Sequence, residues 1–105
     1  MTVLSPARRV GSFDELEQAG DYTGPNQVKT YYGEVSQVLY LLPIHRGKDK
    51  YDHSIDGSGV HGVMSPPHTF RECADGSLEI RESIGCGDPR YWHGYLDEGN
   101  VWRQV

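Results

Sequence analysis

The last third of the chain, residues 68–105, constrains the fold more than any other stretch. It reads HTFRECADGSLEIRESIGCGDPRYWHGYLDEGNVWRQV. Two runs of alternating residues are each closed by an acidic residue and a glycine, Asp75-Gly76 and Glu98-Gly99. Alternation with a period of two sends successive side chains to opposite faces of a strand. An Asp-Gly pair supplies the positive φ that a tight hairpin requires. The stretch therefore reads as two β-hairpins. In the first, Leu78 and Ile80 share one face, and Glu79 and Arg81 the other. In the second, Trp92, Gly94 and Leu96 share a face, with Tyr91, His93 and Tyr95 opposite.

Upstream, residues 28–42 (VKTYYGEVSQVLYLL) form the longest strand-forming run, and Gly33-Glu34 divides it into two strands or marks a bulge. Its second half is apolar on both faces, which places it in the sheet interior. Pro43 ends it, residues 60–64 give one more short strand, and Ser65-Pro66-Pro67 is a rigid break. Ser12 and Glu15 fit a capping box, so a two-turn helix carrying Phe13, Leu16 and Ala19 is expected, with Gly20 ending it. Residues 1–11 are either an arm or a first edge strand. Residues 44–59 form a long polar loop, a length that is usually functional or mobile. The expected fold is mainly β (β-rich α+β). It is a small antiparallel sheet of about six short strands built on the two C-terminal hairpins, with one short N-terminal helix.

With 105 residues the chain is a single domain, 1–105, with room for one core. Only 36% of residues are hydrophobic, so the core must lean on seven Tyr, two Trp and two Phe. A net charge of -5 argues against nucleic acid, whose phosphates need a basic face. No run of about eighteen apolar residues is present to span a membrane, and residues 1–10 lack the apolar segment of a signal peptide. The expected setting is the cytoplasm, where Cys73 and Cys86 are free thiols by default and a disulfide is the minority reading.

His45, His53, His61, His68 and His93 are spaced by eight, eight, seven and twenty-five, and no pair has ligand spacing on a helix or strand. Asp49, Asp52 and Asp56 do not match a calcium loop. Neither a metal nor a cofactor is expected. A nucleophilic arrangement is conceivable across the second hairpin. Ser83 or Cys86 would attack, His93 would act as base, and Asp88 or Glu82 would orient it. Gly85 and Gly87 would leave N–H groups free for an oxyanion. The plainer reading is a hairpin serine, a buried thiol and a hydrogen-bonded histidine. Tyr91 and Tyr95, with His61 and Cys86, are the candidate binding residues, because Tyr and Trp anchor protein interfaces.

Leu42-Pro43, His61, Asp75-Gly76, Glu82-Ser83-Ile84, His93-Gly94-Tyr95 and Gly99 together resemble small proteins common in bacteriophages and their hosts. They are similar to the peptidase-like component (the BubE type) of bacterial ubiquitin-like operons, over roughly residues 38–103. The resemblance implies a β-rich fold and a serine-type peptidase with Ser83 and His93 at matching positions. The family's Cys-Pro-x-Cys-like metal knuckle is replaced here by Leu42-Pro43-Ile44-His45. Its usual proline before the serine is Glu82, and its cysteine before the second histidine is Trp92. Three functions follow as expectations. The first is an accessory protein that binds a protein partner on a peptidase-like scaffold, the second a hydrolase using Ser83 and His93, and the third a virion or assembly component.

Overall fold

A computed structural model describes residues 2–43, 46–48, 54–56, 60–85 and 92–105, the side chains of 46–48 and 54–56 excepted. Twelve strands run in chain order among these residues. They are β1 (Val3–Pro6), β2 (Arg8–Val10), β3 (Asp21–Thr23), β4 (Asn26–Thr30), β5 (Gly33–Tyr40), β6 (Arg46–Lys48), β7 (Ser54–Asp56), β8 (His61–Ser65), β9 (Phe70–Glu72), β10 (Leu78–Gly85), β11 (His93–Asp97) and β12 (Val101–Gln104). The mainly β class expected from the sequence is the observed one. The strands exceed six because many have only three or four residues, too few to display alternation.

The two C-terminal hairpins, β9–β10 and β11–β12, lie edge to edge in one antiparallel sheet of order β1-β12-β11-β10-β9. A second sheet has the order β2-β3-β5-β4, and β8 pairs β5. Its β2–β3 pair is parallel. β5 is therefore interior, as its two apolar faces require. The polar stretch 44–59, expected as a loop, contains the antiparallel ribbon β6–β7. The N-terminal residues belong to both sheets: β1 pairs β12, and after Ala7 the chain crosses to pair β2 with β3. At the crossing Ala7 N–H donates to the Asn100 carbonyl at 2.9 Å.

One apolar cluster fills the space between the sheets. Tyr22, Val38, Tyr40, Leu42 and Val63 come from one side, and Leu78, Ile80, Ile84, Trp92, Leu96 and Trp102 from the other. Aromatic rings form its spine. Trp102 meets Trp92 edge-on with centroids 5.6 Å apart, Tyr40 at 5.3 Å and Tyr22 at 6.4 Å. Its indole N–H donates to the Gly20 carbonyl at 2.9 Å. Gly20 has φ 90°, and a Cβ there would lie 2.5 Å from the Pro6 carbonyl oxygen.

Tyr22 ties the two acidic-glycine turns together. Its hydroxyl accepts from the Leu78 N–H at 3.2 Å and donates to the Asn100 carboxamide. Ser77 makes the second tie, donating to Asp75 at 2.5 Å and accepting from the Gly99 N–H at 2.9 Å. Gly76, Gly99 and Asn100 all have positive φ.

The expected helix is a single 3-10 turn, Phe13–Glu15. Ser12 makes no side-chain cap, and the Glu15 carboxylate instead accepts from the Gly11 N–H at 2.6 Å. The N–H groups of Glu17 and Gln18 donate to Asp21 at 3.0 and 2.9 Å. A two-turn helix is marginal without packing, and a buried carboxylate that takes these amides outcompetes it.

Asp21 is almost fully buried and accepts two bonds from the Arg8 guanidinium, at 2.9 and 2.6 Å. Arg8, opposed by burial and helped by the Gln18 and Glu17 amides, holds the carboxyl down to about 2. A lowered folded pKa stabilises above the unfolded value and is lost as pH falls through the folded one. The stability advantage of the wild type over Asp21→Asn should therefore shrink by on the order of 1–2 kcal/mol between pH 5 and pH 2, discounted because Arg8 is half in solvent. Urea midpoints of both proteins across that range check this, and a constant difference would contradict it.

Candidate functional site

Of the site residues singled out from the sequence, Glu82, Ser83, Gly85, His93, Tyr95 and His61 are described. The Glu82 carboxylate accepts from the Thr69 N–H at 2.6 Å and the Thr69 hydroxyl at 2.9 Å. Cys86, Asp88 and Tyr91 lie outside the described residues, as do His45, His53, Asp49, Asp52 and Gly87. Ile84 pairs Gly94 and Gly85 pairs His93 across β10–β11, after a register shift between Ile80 and Ile84. Ile84 and Gly94 are buried, so Gly85 and His93, each next to one of them, share the outer face. Ser83 ends the shifted segment, one residue before the Ile84–Gly94 pair and two before the Gly85–His93 pair. No hydrogen bond joins the Ser83 hydroxyl to an imidazole among the described residues.

The outer face continues along β11. Tyr95 pairs Arg103, whose guanidinium carbon lies 4.3 Å from the phenol ring centroid, and Arg103 is held by Asp97 at 2.7 Å. The Asp97 contact raises the Arg103 pKa. Gly94 lies on the inner face, where a Cβ would come 2.2 Å from the Arg103 carbonyl oxygen. Only glycine fits that approach of β11 to β12.

The imidazole that bonds the Ser83 main chain is His68, one of the five histidines but not among the expected site residues. Its main-chain N–H donates to the Met64 carbonyl at 3.0 Å, and its Nε2 lies 3.0 Å from the Ser83 carbonyl oxygen. His68 is therefore a crossbar from the end of β8 to the outer part of β10. The turn through Ser65-Pro66-Pro67 aims it there, and nothing in the spacing of the histidines points to it. Beside it opens a cleft of about 260 Å³ lined by Tyr40, Val63, Met64, Pro67, His68 and Ile84, and Ser83 stands on its wall. His61, paired with Tyr40, stacks on the Tyr40 ring at 5.6 Å. The Nδ1 of His68, the Nε2 of His61 and the indole nitrogen of Trp92 are shielded from solvent without a hydrogen-bond partner among the described residues.

Two further features carry polar or aromatic chemistry. Tyr31 and Tyr32 form the two-residue tip of the β4–β5 hairpin, closed by the Thr30–Gly33 pair. They are 95% and 94% exposed, edge to face at 5.2 Å. Both fall within the strand-forming run 28–42 of the sequence, although an aromatic pair ahead of a glycine that can adopt positive φ also fits a hairpin tip. Cys73, Asp75 and Glu98 bring their ligand-type atoms within 4.8 Å of one another. Each is already engaged: Asp75 by Ser77, Glu98 by Arg71 at 3.5 Å, and the thiol by the Arg71 carbonyl at 3.7 Å.

Among the described residues no helix is long and apolar enough to cross a membrane. No family model, curated protein or solved structure matches this chain.

Proposed function

We propose that this chain is a small accessory domain of the phage type that acts by holding a protein partner on a peptidase-like β scaffold. The observation that carries this reading is the tip of the β4–β5 hairpin. The positive φ of this turn falls on Gly33, so positions 31 and 32 accept most residues, yet both are tyrosines, 95% and 94% exposed. Neither ring buries enough surface within the chain to contribute to its stability. Tyrosines of this kind are rigid amphipathic anchors that dominate interfaces once a partner covers them. Tyr95, stacked under Arg103, gives a second anchor on the outer face of β11.

Tyr31→Ser with Tyr32→Ser is expected to leave the urea midpoint within about 0.5 kcal/mol of wild type, as surface substitutions do. Capture of a protein partner, identified and confirmed by reciprocal capture, should fall at least about tenfold. Undiminished capture by the double variant would contradict the assignment of the tip. Loss with Tyr95→Ala alone would move the interface to the β11 face.

A second reading, hydrolysis with Ser83 as nucleophile and His93 as base, draws on the pairing of β10 with β11, in which His93 lies opposite Gly85, two residues after Ser83. It requires the hydroxyl to come within hydrogen-bonding reach of the ring when a substrate binds.

A further inference from the structure

We propose that the slot between β8 and the end of β10 takes the C-terminal end of a partner's chain. The chain end is added as one extended strand with its carboxylate against His68. The proposal rests on the protein-binding reading for the class of partner, but it uses a different surface from the Tyr31–Tyr32 tip.

Both walls of the slot are strand edges with no partner strand among the described residues. In an antiparallel ladder the N–H and C=O of one residue point to one edge, and those of the next residue to the other. The Met64 carbonyl is turned away from β5, since it accepts from the His68 N–H at 3.0 Å. The Met64 N–H and both main-chain groups of Gly62 therefore share that outward edge. On β11 the His93 carbonyl accepts from the Val105 N–H on the β12 side, so Gly94 faces Ile84 of β10. Ser83 and Gly85 then direct their main-chain groups away from β11, to the side where β9 stops pairing at Ile80. The Ser83 carbonyl shows this directly by meeting His68 Nε2 at 3.0 Å. Gly62, Met64, Ser83 and Gly85 line one cleft, and all but the half-buried Ser83 are exposed.

His68 sets both the width of the slot and its occupant. It reaches from edge to edge, its main-chain N–H on Met64 and its ring on Ser83, where a residue of an inserted strand would sit. Such a strand needs about 9–10 Å between the edges, twice the strand spacing. Because His68 fills its own level, an added chain has to stop there, and it then runs antiparallel to β10. At that level both carbonyls are taken, and the N–H groups of Met64 and Ser83 remain as donors. A terminal carboxylate only accepts, and charge-assisted bonds are about twice as strong as neutral ones. The neighbouring Glu82 carboxylate is turned to Thr69, which bonds both its oxygens. Exposed Met64 and Pro67 offer an apolar contact to the last side chain.

The test titrates the folded protein with an acetylated pentapeptide of threonine and valine that ends in a free valine carboxylate. A parallel arm uses the same peptide ended as a carboxamide, and main-chain amide signals are followed by NMR. The acid should shift the Gly62, Met64, Ser83 and Gly85 amides and bind at least about tenfold tighter than the carboxamide. Met64→Pro removes one donor that β5 does not use, a change that an edge strand tolerates, and should lose that preference. Tyr31→Ser with Tyr32→Ser should bind the acid as the wild type does. Equal affinity for the two peptides, shifts that bypass the four amides, or no binding by the wild type would each overturn the slot. None of these would alter the capture result at the tip. The wild-type arms decide the proposal even where Met64→Pro does not fold.

Discussion

Truncating Trp102 to alanine is expected to cost about 4 kcal/mol, within the 3–5 kcal/mol found for buried tryptophan and phenylalanine truncations. Trp102 is fully buried and its ring meets Tyr22, Tyr40 and Trp92. Three aromatic neighbours from both sheets lose their contact surface together, and the Gly20 carbonyl loses its donor. A domain of this size has about 5–15 kcal/mol of stability in all, so the alanine variant should lose roughly a quarter to four-fifths of it. Trp102→Phe keeps much of the ring contact but not the N–H, and should lose roughly half as much. Urea unfolding of the three proteins checks the order. A loss under about 1.5 kcal/mol for the alanine variant would mean that the core is not built on this ring.

Tyr22→Phe is expected to cost about 2 kcal/mol although it removes a single oxygen. The phenyl ring keeps its edge contact with Trp102, so the transfer term barely changes. What is lost is the acceptor for the buried Leu78 N–H and the donor to Asn100. A buried donor left unsatisfied costs about 1–3 kcal/mol, which for a chain of this length lowers the melting temperature by roughly 10 °C. Tyr32→Phe serves as the control, because its side chain is almost wholly in solvent. A calorimetric scan in which the two variants melt together would contradict the role assigned to Tyr22.

The same two residues mark where reading from sequence succeeds and where it stops. Asp75-Gly76 and Glu98-Gly99, flanked by alternating residues, announce the hairpins because turn chemistry and strand period are both local. Leu78, Ile80, Trp92, Leu96 and Trp102 are inside, as alternation requires. That the turns are joined to each other through Tyr22, 56 residues before Leu78, is a matter of tertiary register. No local pattern encodes it. The capping-box signal at Ser12 and Glu15 was locally sound, but it yielded to the buried Asp21 carboxylate, which claims the Glu17 and Gln18 amides.

The candidate site divides in the same way. That β10 and β11, which carry Ser83 and His93, are neighbours follows from the order of the two hairpins, whereas the register shift between Ile80 and Ile84 has no local signal. The direction of His68 has none either, because it is set by the Pro66-Pro67 turn and by a carbonyl on another strand. Gly94 reads in the sequence as one more inward position. Its glycine is instead dictated by the approach of the Arg103 carbonyl. The tyrosines at the β4–β5 tip were visible as residues but not as a tip, since the turn falls on them and not on Gly33-Glu34.

Native-state hydrogen exchange at the Leu78 amide reads out whether Tyr22 locks the two hairpin turns into one cooperative unit. In the wild type this amide should exchange only through global opening, with a free energy equal to that from urea unfolding. In Tyr22→Phe it should exchange through a local opening, well below the new global value, while the Leu96 amide stays at that value. Exchange of Leu78 at a sub-global free energy in the wild type, unchanged by Tyr22→Phe, would contradict the account.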